Sequence, residues 1–272
     1  MFDLKLAKRA AGNLAALREK KPLIHNITNY VVMNYTANAL LACGASPVMA
    51  HAEDEVEEMV SLAGALVINI GTLSGPWIES MLKAAKCANQ LKVPVILDPV
   101  GAGATTLRTR TSRRFVEEVS TTVIRGNASE VLSLAEKGSG TKGVDSIHTV
   151  EEAADSAASL SKGLKTTLAI TGKVDLVTDG KRMFRVFNGH EMMGRVTGTG
   201  CTATAIIGAF LAVDGDAVEA AATALAYFGL AGEKAALQGS APGTFQIALL
   251  DALYTIDGKQ LEAGARIRVS ER

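Results

Sequence analysis

Two glycines alternate with threonines in Thr197-Gly198-Thr199-Gly200, directly ahead of Cys201 and an apolar, alanine-rich run at 200–213 that reads as a helix. The first backbone N–H groups of a helix have no partner within it and the dipole end there is positive, so this segment is suited to holding a phosphate or a developing oxyanion. Gly198, Thr199 and Gly200 are therefore candidate catalytic residues, although a lone G-x-G is more often an ordinary turn. The stretch also matches G-x-G-x-x-A through Gly198, Gly200 and Ala203. It comes late in the chain, however, after a hairpin pattern, and no acidic residue follows about twenty positions on in a strand, as a dinucleotide site requires. A G-x-x-x-x-G-K-S/T phosphate loop is absent.

Asn127 and Glu130 stand three apart at the start of a helical pattern at 128–136, so both can face one spot, and Asp98 ends a β-branched run at 93–97. Two carboxylates and an amide are oxygen ligands suited to Mg2+, which keeps several waters and takes the rest from nucleotide phosphates. Taken alone, Asn127 and Glu130 fit a helix cap with first-turn charge equally well. Arg125 immediately precedes them and can fork onto phosphate oxygens or serve as a surface ion-pair partner. Thr171 ends the run at 167–171, where its hydroxyl can bond a phosphate or close the turn. Cys201 begins its helix, a place that lowers a thiol's pKa from its reference of about 8.5 and so suits it to take a proton from a substrate hydroxyl. Cys43 and Cys87 lie in apolar helical patterns and read as core, while His25, His51, His148 and His190 show no ligand spacing.

Short β-branched runs at 23–27, 47–50, 66–70, 93–97, 122–124 and 167–171 alternate with helical patterns at 34–43, 54–63, 77–91, 112–119, 128–136 and 151–163. That alternation predicts a mostly parallel sheet with helices on both faces. Segments 174–178 and 183–187 flank Asp179-Gly180, which predicts an antiparallel edge hairpin with a two-residue turn. The remainder, 200–213, 217–237 and 244–254, reads as helices rich in Ala and Gly. Glycine-rich 137–146 reads as a loop within one domain spanning 1–272. Polar or glycine clusters follow nearly every strand at its C-terminal end, where open α/β sheets bind ligands. They include His25-Asn26-Ile27-Thr28-Asn29, Met49, Asn69-Ile70-Gly71-Thr72, Asp98-Pro99-Val100-Gly101-Ala102-Gly103 and Thr171-Gly172.

With 48% hydrophobic and 21% charged residues but only seven Phe, four Tyr and one Trp, the core must be built from Ala, Val, Ile and Leu. Lys plus Arg and Asp plus Glu are 28 each, so no global field steers a polyanion to the surface and nucleic acid is not an expected partner. Three dispersed cysteines without a C-x-x-C pair suit a reducing compartment, which predicts a cytoplasmic protein. Residues 1–21 interleave leucines with Lys and Arg, which predicts no signal peptide, and no apolar run reaches membrane-spanning length.

The ordered set Asp98-Pro99-Val100-Gly101-Ala102-Gly103, Asn127-x-x-Glu130, Thr171-Gly172 and Gly198-Thr199-Gly200-Cys201 is similar to that of the ribokinase-like superfamily, and within it resembles the hydroxyethylthiazole kinase family. The likeness begins at His25-Asn26-Ile27-Thr28-Asn29, continues through Gly44-Ala45-Ser46-Pro47-Val48-Met49-Ala50 and Asn69-Ile70-Gly71-Thr72, and reaches Phe245-Gln246. It implies a single-domain, three-layer α/β/α sandwich that transfers the γ-phosphoryl group of ATP, with Mg2+, to the primary hydroxyl of 5-(2-hydroxyethyl)-4-methylthiazole, a salvage step toward thiamine. It further implies that Met49, Gly198 and Asn26 meet the thiazole, that Arg125, Thr171 and Asn127 meet ATP, and that Asp98 and Glu130 organise Mg2+. A homotrimer with the thiazole pocket shared between subunits is implied as well. Cys201 stands where most of the superfamily places an aspartate base, a substitution shared with hydroxyethylthiazole kinases. Within the superfamily, hydroxymethylpyrimidine, pyridoxal or a sugar are alternative acceptors. A non-catalytic ligand-binding regulator is the alternative from another class.

Overall fold

The computed structural model describes residues 2–135 and 150–270. In chain order its elements are α1 (Leu4–Lys20), β1 (Leu23–Ile27), α2 (Met33–Cys43), β2 (Ser46–Val48), α3 (Val56–Leu62), β3 (Ala65–Asn69), α4 (Gly75–Leu91), β4 (Val95–Asp98), α5 (Thr106–Glu118), β5 (Val123–Gly126) and α6 (Ala128–Leu132). There follow α7 (Val150–Leu164), β6 (Thr167–Ile170), β7 (Asp175–Thr178), β8 (Met183–Val186), a 3-10 turn at Glu191–Arg195, α8 (Thr199–Leu211), α9 (Ala217–Gln238), α10 (Pro242–Thr255), α11 (Gly258–Gly264) and β9 (Ile267–Val269).

The nine strands form one sheet in the order β2-β1-β3-β4-β5-β6-β7-β8-β9. The first six are parallel and the last three antiparallel. The inner parallel strands β3, β4 and β6 are buried on both faces, as their unbroken apolar runs require. One face packs against α1, α2, α8, α9, α10 and α11 through Leu14, Leu40, Ile206, Phe210, Tyr227, Phe245 and Leu261. The other packs against α3, α4, α5 and α7 through Val60, Met81, Phe115 and Ala157. This is the three-layer α/β/α sandwich expected from the alternation of elements.

Five local features differ from the sequence reading. Thr178 pairs directly with Met183, so the β7–β8 connection is a four-residue loop at 179–182 and not a two-residue turn. Asp179 Oδ1 accepts the backbone N–H groups of Lys181 and Arg182 (2.8 and 2.6 Å), an anchored turn that outcompetes the tighter one. The hairpin is also not the sheet edge: β9 pairs with β8 and takes that place. Helix α1 is capped by Asp3, which accepts the N–H groups of Lys5 and Leu6, and it buries Leu6, Ala10, Leu14 and Leu17. Helix α5 starts at Thr106 behind the cap Thr105, six residues before 112, because only Thr111, Ser112 and Phe115 are buried and its apolar stripe is too thin to read. Helix α6 ends at Leu132. The glycine-rich stretch 137–146, the end of the 128–136 pattern and His148 lie outside the described residues. Among the described residues no helix is long and apolar enough to cross a membrane.

Candidate active site

The C-terminal ends of β1, β3, β4, β5 and β6 converge on the first turn of α8. Gly198 caps that helix at φ +85°, in the left-handed region where a side chain is strained, and a Cβ there would lie 2.6 Å from Val32 Cγ1. The first N–H to bond within the helix is that of Thr202, to the Gly198 carbonyl (2.8 Å), which leaves the amides of Thr199, Gly200 and Cys201 at the open end of the dipole. The Thr199 hydroxyl is turned to the carbonyls of Met193 (2.9 Å) and Val196 (3.2 Å), so this residue offers its amide and not its side chain.

Arg125 lies against this helix start: a Cβ on Gly200 would fall 2.6 Å from its Nη1. Its Nη2 donates to Thr171 Oγ1 (2.5 Å), its Nη1 stands 3.8 Å from Asp98 Oδ2, and its buried Nε has no partner. Asp98 is 1% exposed. Its Oδ2 accepts from Asn69 Nδ2 (2.8 Å) and Thr204 Oγ1 (2.7 Å), while Oδ1 is buried without a partner. Asn29 Nδ2 donates in turn to Asn69 Oδ1 (2.8 Å). Burial pushes the Asp98 carboxyl up to about 6; Arg125, Thr204 and Asn69 pull it down and Glu130 adds to the rise.

Asn127 and Glu130 form the helix cap in full. Asn127 Oδ1 accepts the Glu130 N–H and Glu130 Oε2 accepts the Asn127 N–H, each at 2.9 Å. Glu130 Oε1 accepts the N–H of Gly101 (2.8 Å), which ties α6 to the loop after β4. Each oxygen of Glu130 therefore holds one amide and retains acceptor capacity, and Asp98 Oδ1 is uncommitted. Among the described residues no three His, Cys, Asp or Glu side chains gather into a metal cage. A pair of carboxylates nonetheless fits Mg2+, which leaves most of its positions to water and phosphate.

Cys201 corrects an expectation. Its thiol is pushed up to about 11, first by burial and then by Asp98, against the hydrogen bonds of Asn69 and Asn29 and the charge of Arg125. These outweigh the helix start that favours a thiolate, and the Cys201 Sγ, 3.5 Å from Asn29 Nδ2, stays protonated through the neutral range.

A cavity of about 910 Å3 opens beside these groups. Arg125, Thr171, Asp175 and Gly200 line it, together with the apolar Phe187, Leu225 and Phe228. Met49 and Asn26 are not in its wall. Met49 follows β2, the edge strand, and is half-buried. Asn26 is fully buried within β1, with Nδ2 donating to the Ile24 carbonyl (2.8 Å) and Oδ1 without a partner. They lie on the β1–β2 side, reached from α8 through Val32, which touches Gly198.

Sequence reasoning passed over several residues here. Asn69 and Thr204 hold Asp98, and Arg108 donates to the carbonyls of Val100 (2.6 Å) and Gly71 (2.7 Å), pinning the loops after β3 and β4 together. Asp175 sits in the cavity wall. Only Asn69 carried a signal, its place in a strand-end cluster; Thr204 reads as filler in an alanine-rich helix and Arg108 as one of several arginines on a polar one.

Comparison with known proteins places the chain among named relatives. The model of the "Hydroxyethylthiazole kinase family" matches residues 14–259. A hydroxyethylthiazole kinase of Desulfotalea psychrophila is 62% identical over 261 residues, 96% of each chain, and one of Pyrococcus furiosus is 52% identical over 257 residues, 94% of this chain and 96% of that one. The solved hydroxyethylthiazole kinase protein of Pyrococcus horikoshii superposes with a TM-score of 0.90 at 49% identity, covering 97% of this chain and 100% of its own. A ribokinase-like superfamily protein of Enterococcus faecalis shares the fold, with a TM-score of 0.64 at 15% identity, covering 94% of this chain and 95% of that chain.

Proposed function

The chain belongs to the hydroxyethylthiazole kinase family, and from that premise we propose that the cavity beside α8 receives ATP and that the site works as follows. The protein is a phosphotransferase that phosphorylates the hydroxyl of 5-(2-hydroxyethyl)-4-methylthiazole, a salvage step toward thiamine. One observation carries the assignment of the site: an uncommitted Asp98 oxygen, the Arg125 guanidinium and the open amides of α8 meet at the mouth of one cavity.

Arg125, Thr171 and the amide-bearing start of α8 hold the phosphate chain, and Asn127, exposed beside them, meets its outer side. Asp98 and Glu130 would hold Mg2+, which would neutralise charge on the phosphate oxygens. The amides of Thr199, Gly200 and Cys201 stabilise the charge that develops on the transferred group. Met49, Gly198 and Asn26 form the acceptor side. Asn26 Oδ1, buried and unpaired, is the acceptor that this side offers to the thiazole alcohol. Met49 follows the edge strand β2 and is half-buried, and Tyr30 and Val31 are exposed, so a neighbouring copy has room to complete the pocket in the homotrimer that the family reading implies. Sedimentation equilibrium should then return three chains. Three free thiols support a cytoplasmic location.

Cys201 is not the base in this scheme. A general base contributes roughly 10²–10⁴-fold, so Cys201→Ala should keep kcat within about tenfold of the parent if its thiol moves no proton. The loose transition state of phosphoryl transfer needs alignment and charge stabilisation more than early removal of the alcohol proton. Cys201→Asp, which installs a carboxylate at the same place, should match or exceed the parent. A folded but inactive Cys201→Asp would sink this part of the mechanism.

The function is tested by ADP release from Mg2+-ATP with hydroxyethylthiazole, hydroxymethylpyrimidine, pyridoxal or ribose as acceptor. Release that depends on the thiazole alone is expected. Release with another alcohol instead would keep the kinase and correct the acceptor; none with any acceptor would favour a binding protein.

A further inference from the structure

Asp175 has no part in the phosphoryl-transfer machinery, yet it is a carboxylate facing a cavity that must hold a polyanion. It opens β7 at the end of the sheet where the parallel strands finish, is 9% exposed, and lines the cavity wall. Its Oδ1 accepts the Gly172 N–H at 2.9 Å, and its Oδ2 takes no hydrogen bond from any described residue. In a cavity wall such an oxygen is served by water, and a ligand that displaces that water must bring a donor of its own. Phosphate brings none and is repelled, so the part of the nucleotide that meets Asp175 must carry N–H or O–H groups.

The sheet says which part that is. Arg125 is on β5, Thr171 follows β6, and Asp175 begins β7, the next strand over. Neighbouring strands are spaced about 4.8 Å, so Asp175 stands one strand beyond Thr171 and roughly 10 Å along the sheet from Arg125. Asp175 pairs with Val186 on β8, one strand farther from Arg125, and the next residue, Phe187, lines the cavity along with the apolar Leu225 and Phe228. Arg268 and Phe2 back the Phe187 ring from outside, with the guanidinium 5.1 Å and the Phe2 ring 5.6 Å from its centre, so this wall is braced for a flat apolar group. Phosphates at the Arg125 end and a base at the Phe187 end leave the sugar at Asp175.

We propose that Asp175 accepts a hydrogen bond from a ribose hydroxyl of the nucleotide and makes the enzyme select ribonucleoside over deoxyribonucleoside triphosphates. The inference rests on the cavity being the ATP site. The Gly172 N–H, bonded to the other carboxylate oxygen, ties the Asp175 side chain to the turn between Thr171 and β7.

The test compares ATP, 2′-deoxy-ATP and 3′-deoxy-ATP as phosphoryl donors to hydroxyethylthiazole, in the parent and in Asp175→Asn. The amide keeps an oxygen for the Gly172 N–H but loses the charge on the cavity side. In the parent, removing the bonded hydroxyl should lower kcat/KM roughly tenfold, the equivalent of about 1.4 kcal/mol. In Asp175→Asn that ratio should collapse to within about twofold, with the rate on the deoxynucleotide little changed. A purely structural role would lower all three nucleotides together and leave the ratio intact. Asp175→Ser, which removes the reach to the sugar altogether, should show the same collapse and stands in if the asparagine variant does not fold. An active parent that uses the three nucleotides equally, or variants that keep the parent's ratio, overturns the proposal alone. A parent that releases no ADP with the thiazole or with any of the other three acceptors overturns the nucleotide-site reading and the proposal with it.

Discussion

Asp98→Asn should lower kcat by about 10²–10³-fold, the scale of removing one preorganised electrostatic group, while leaving the protein no less stable at pH 8. The two halves of this expectation have separate causes. The activity depends on Oδ1, the buried oxygen that no protein group engages, and an amide nitrogen in its place offers no lone pair to a cation. The fold depends on Oδ2, which the asparagine carbonyl replaces as acceptor for Asn69 and Thr204. The native state holds the Asp98 proton more tightly than the unfolded chain, with the carboxyl raised from 3.8 to about 6. Stability from this group is therefore complete below about 3.8 and is lost as pH rises through about 6. At pH 8 the parent bears the cost of a buried charge that the variant lacks. Thermal melts should place the variant level with or above the parent at pH 8, with its relative standing falling as pH is lowered to 5. Asp98→Ala is the contrast, because it strands two buried donors at about 1–3 kcal/mol each. Full activity in Asp98→Asn would remove Asp98 from the chemistry, whereas a lower Tm at pH 8 would overturn only the cost assigned to its buried charge.

Gly200→Ala is the second large expected effect, a loss of about 10²-fold in kcat/KM for ATP with a Tm equal to or above the parent's. Alanine in a helix turn is favoured over glycine by about 1 kcal/mol, so the helix itself gains. The new methyl, however, would sit 2.6 Å from Arg125 Nη1, closer than side-chain carbons approach, with Nη2 at 3.1 Å and Cζ at 3.3 Å also tight. The guanidinium must leave Thr171 and the Asp98 side to make room. Arg125→Ala removes the same group directly, so the double variant should be no worse than Arg125→Ala alone. Additive losses would mean that Gly200 acts through the amide array and not through Arg125.

Much of the fold was legible because periodicity is a property of consecutive residues. The alternation of β-branched runs with helical patterns predicted the parallel strands and the helices on both faces, mostly to within a few residues. Helix α1 hid behind its lysines and arginines, and α5 behind an arginine-rich stretch with one large buried side chain, Phe115. Strand β9 is three residues long, too short for any period to show, and exists because β8 offers it an edge. The hairpin turn was placed correctly but its length was not, since the Asp179 carboxylate closes a wider loop onto Lys181 and Arg182.

At the candidate site the sequence alone determined which groups gather: glycine spacing marked the start of α8, and strand-end positions marked Asp98, Arg125 and Thr171, because local patterns set where strands stop and helices begin. Only the tertiary structure decided what state those groups are in. Glu130 gives its second oxygen to Gly101, 29 residues away in sequence. Cys201 stays a thiol and Asp98 keeps one oxygen uncommitted because burial, Asn69, Thr204 and Arg125 meet there from separate strands and helices. Asp175, a strand residue in sequence, becomes part of a cavity wall only when β7 lies beside β6. Charge and reactivity follow from solvation and from distances across the fold, and neither quantity is defined until residues far apart in the chain are packed together.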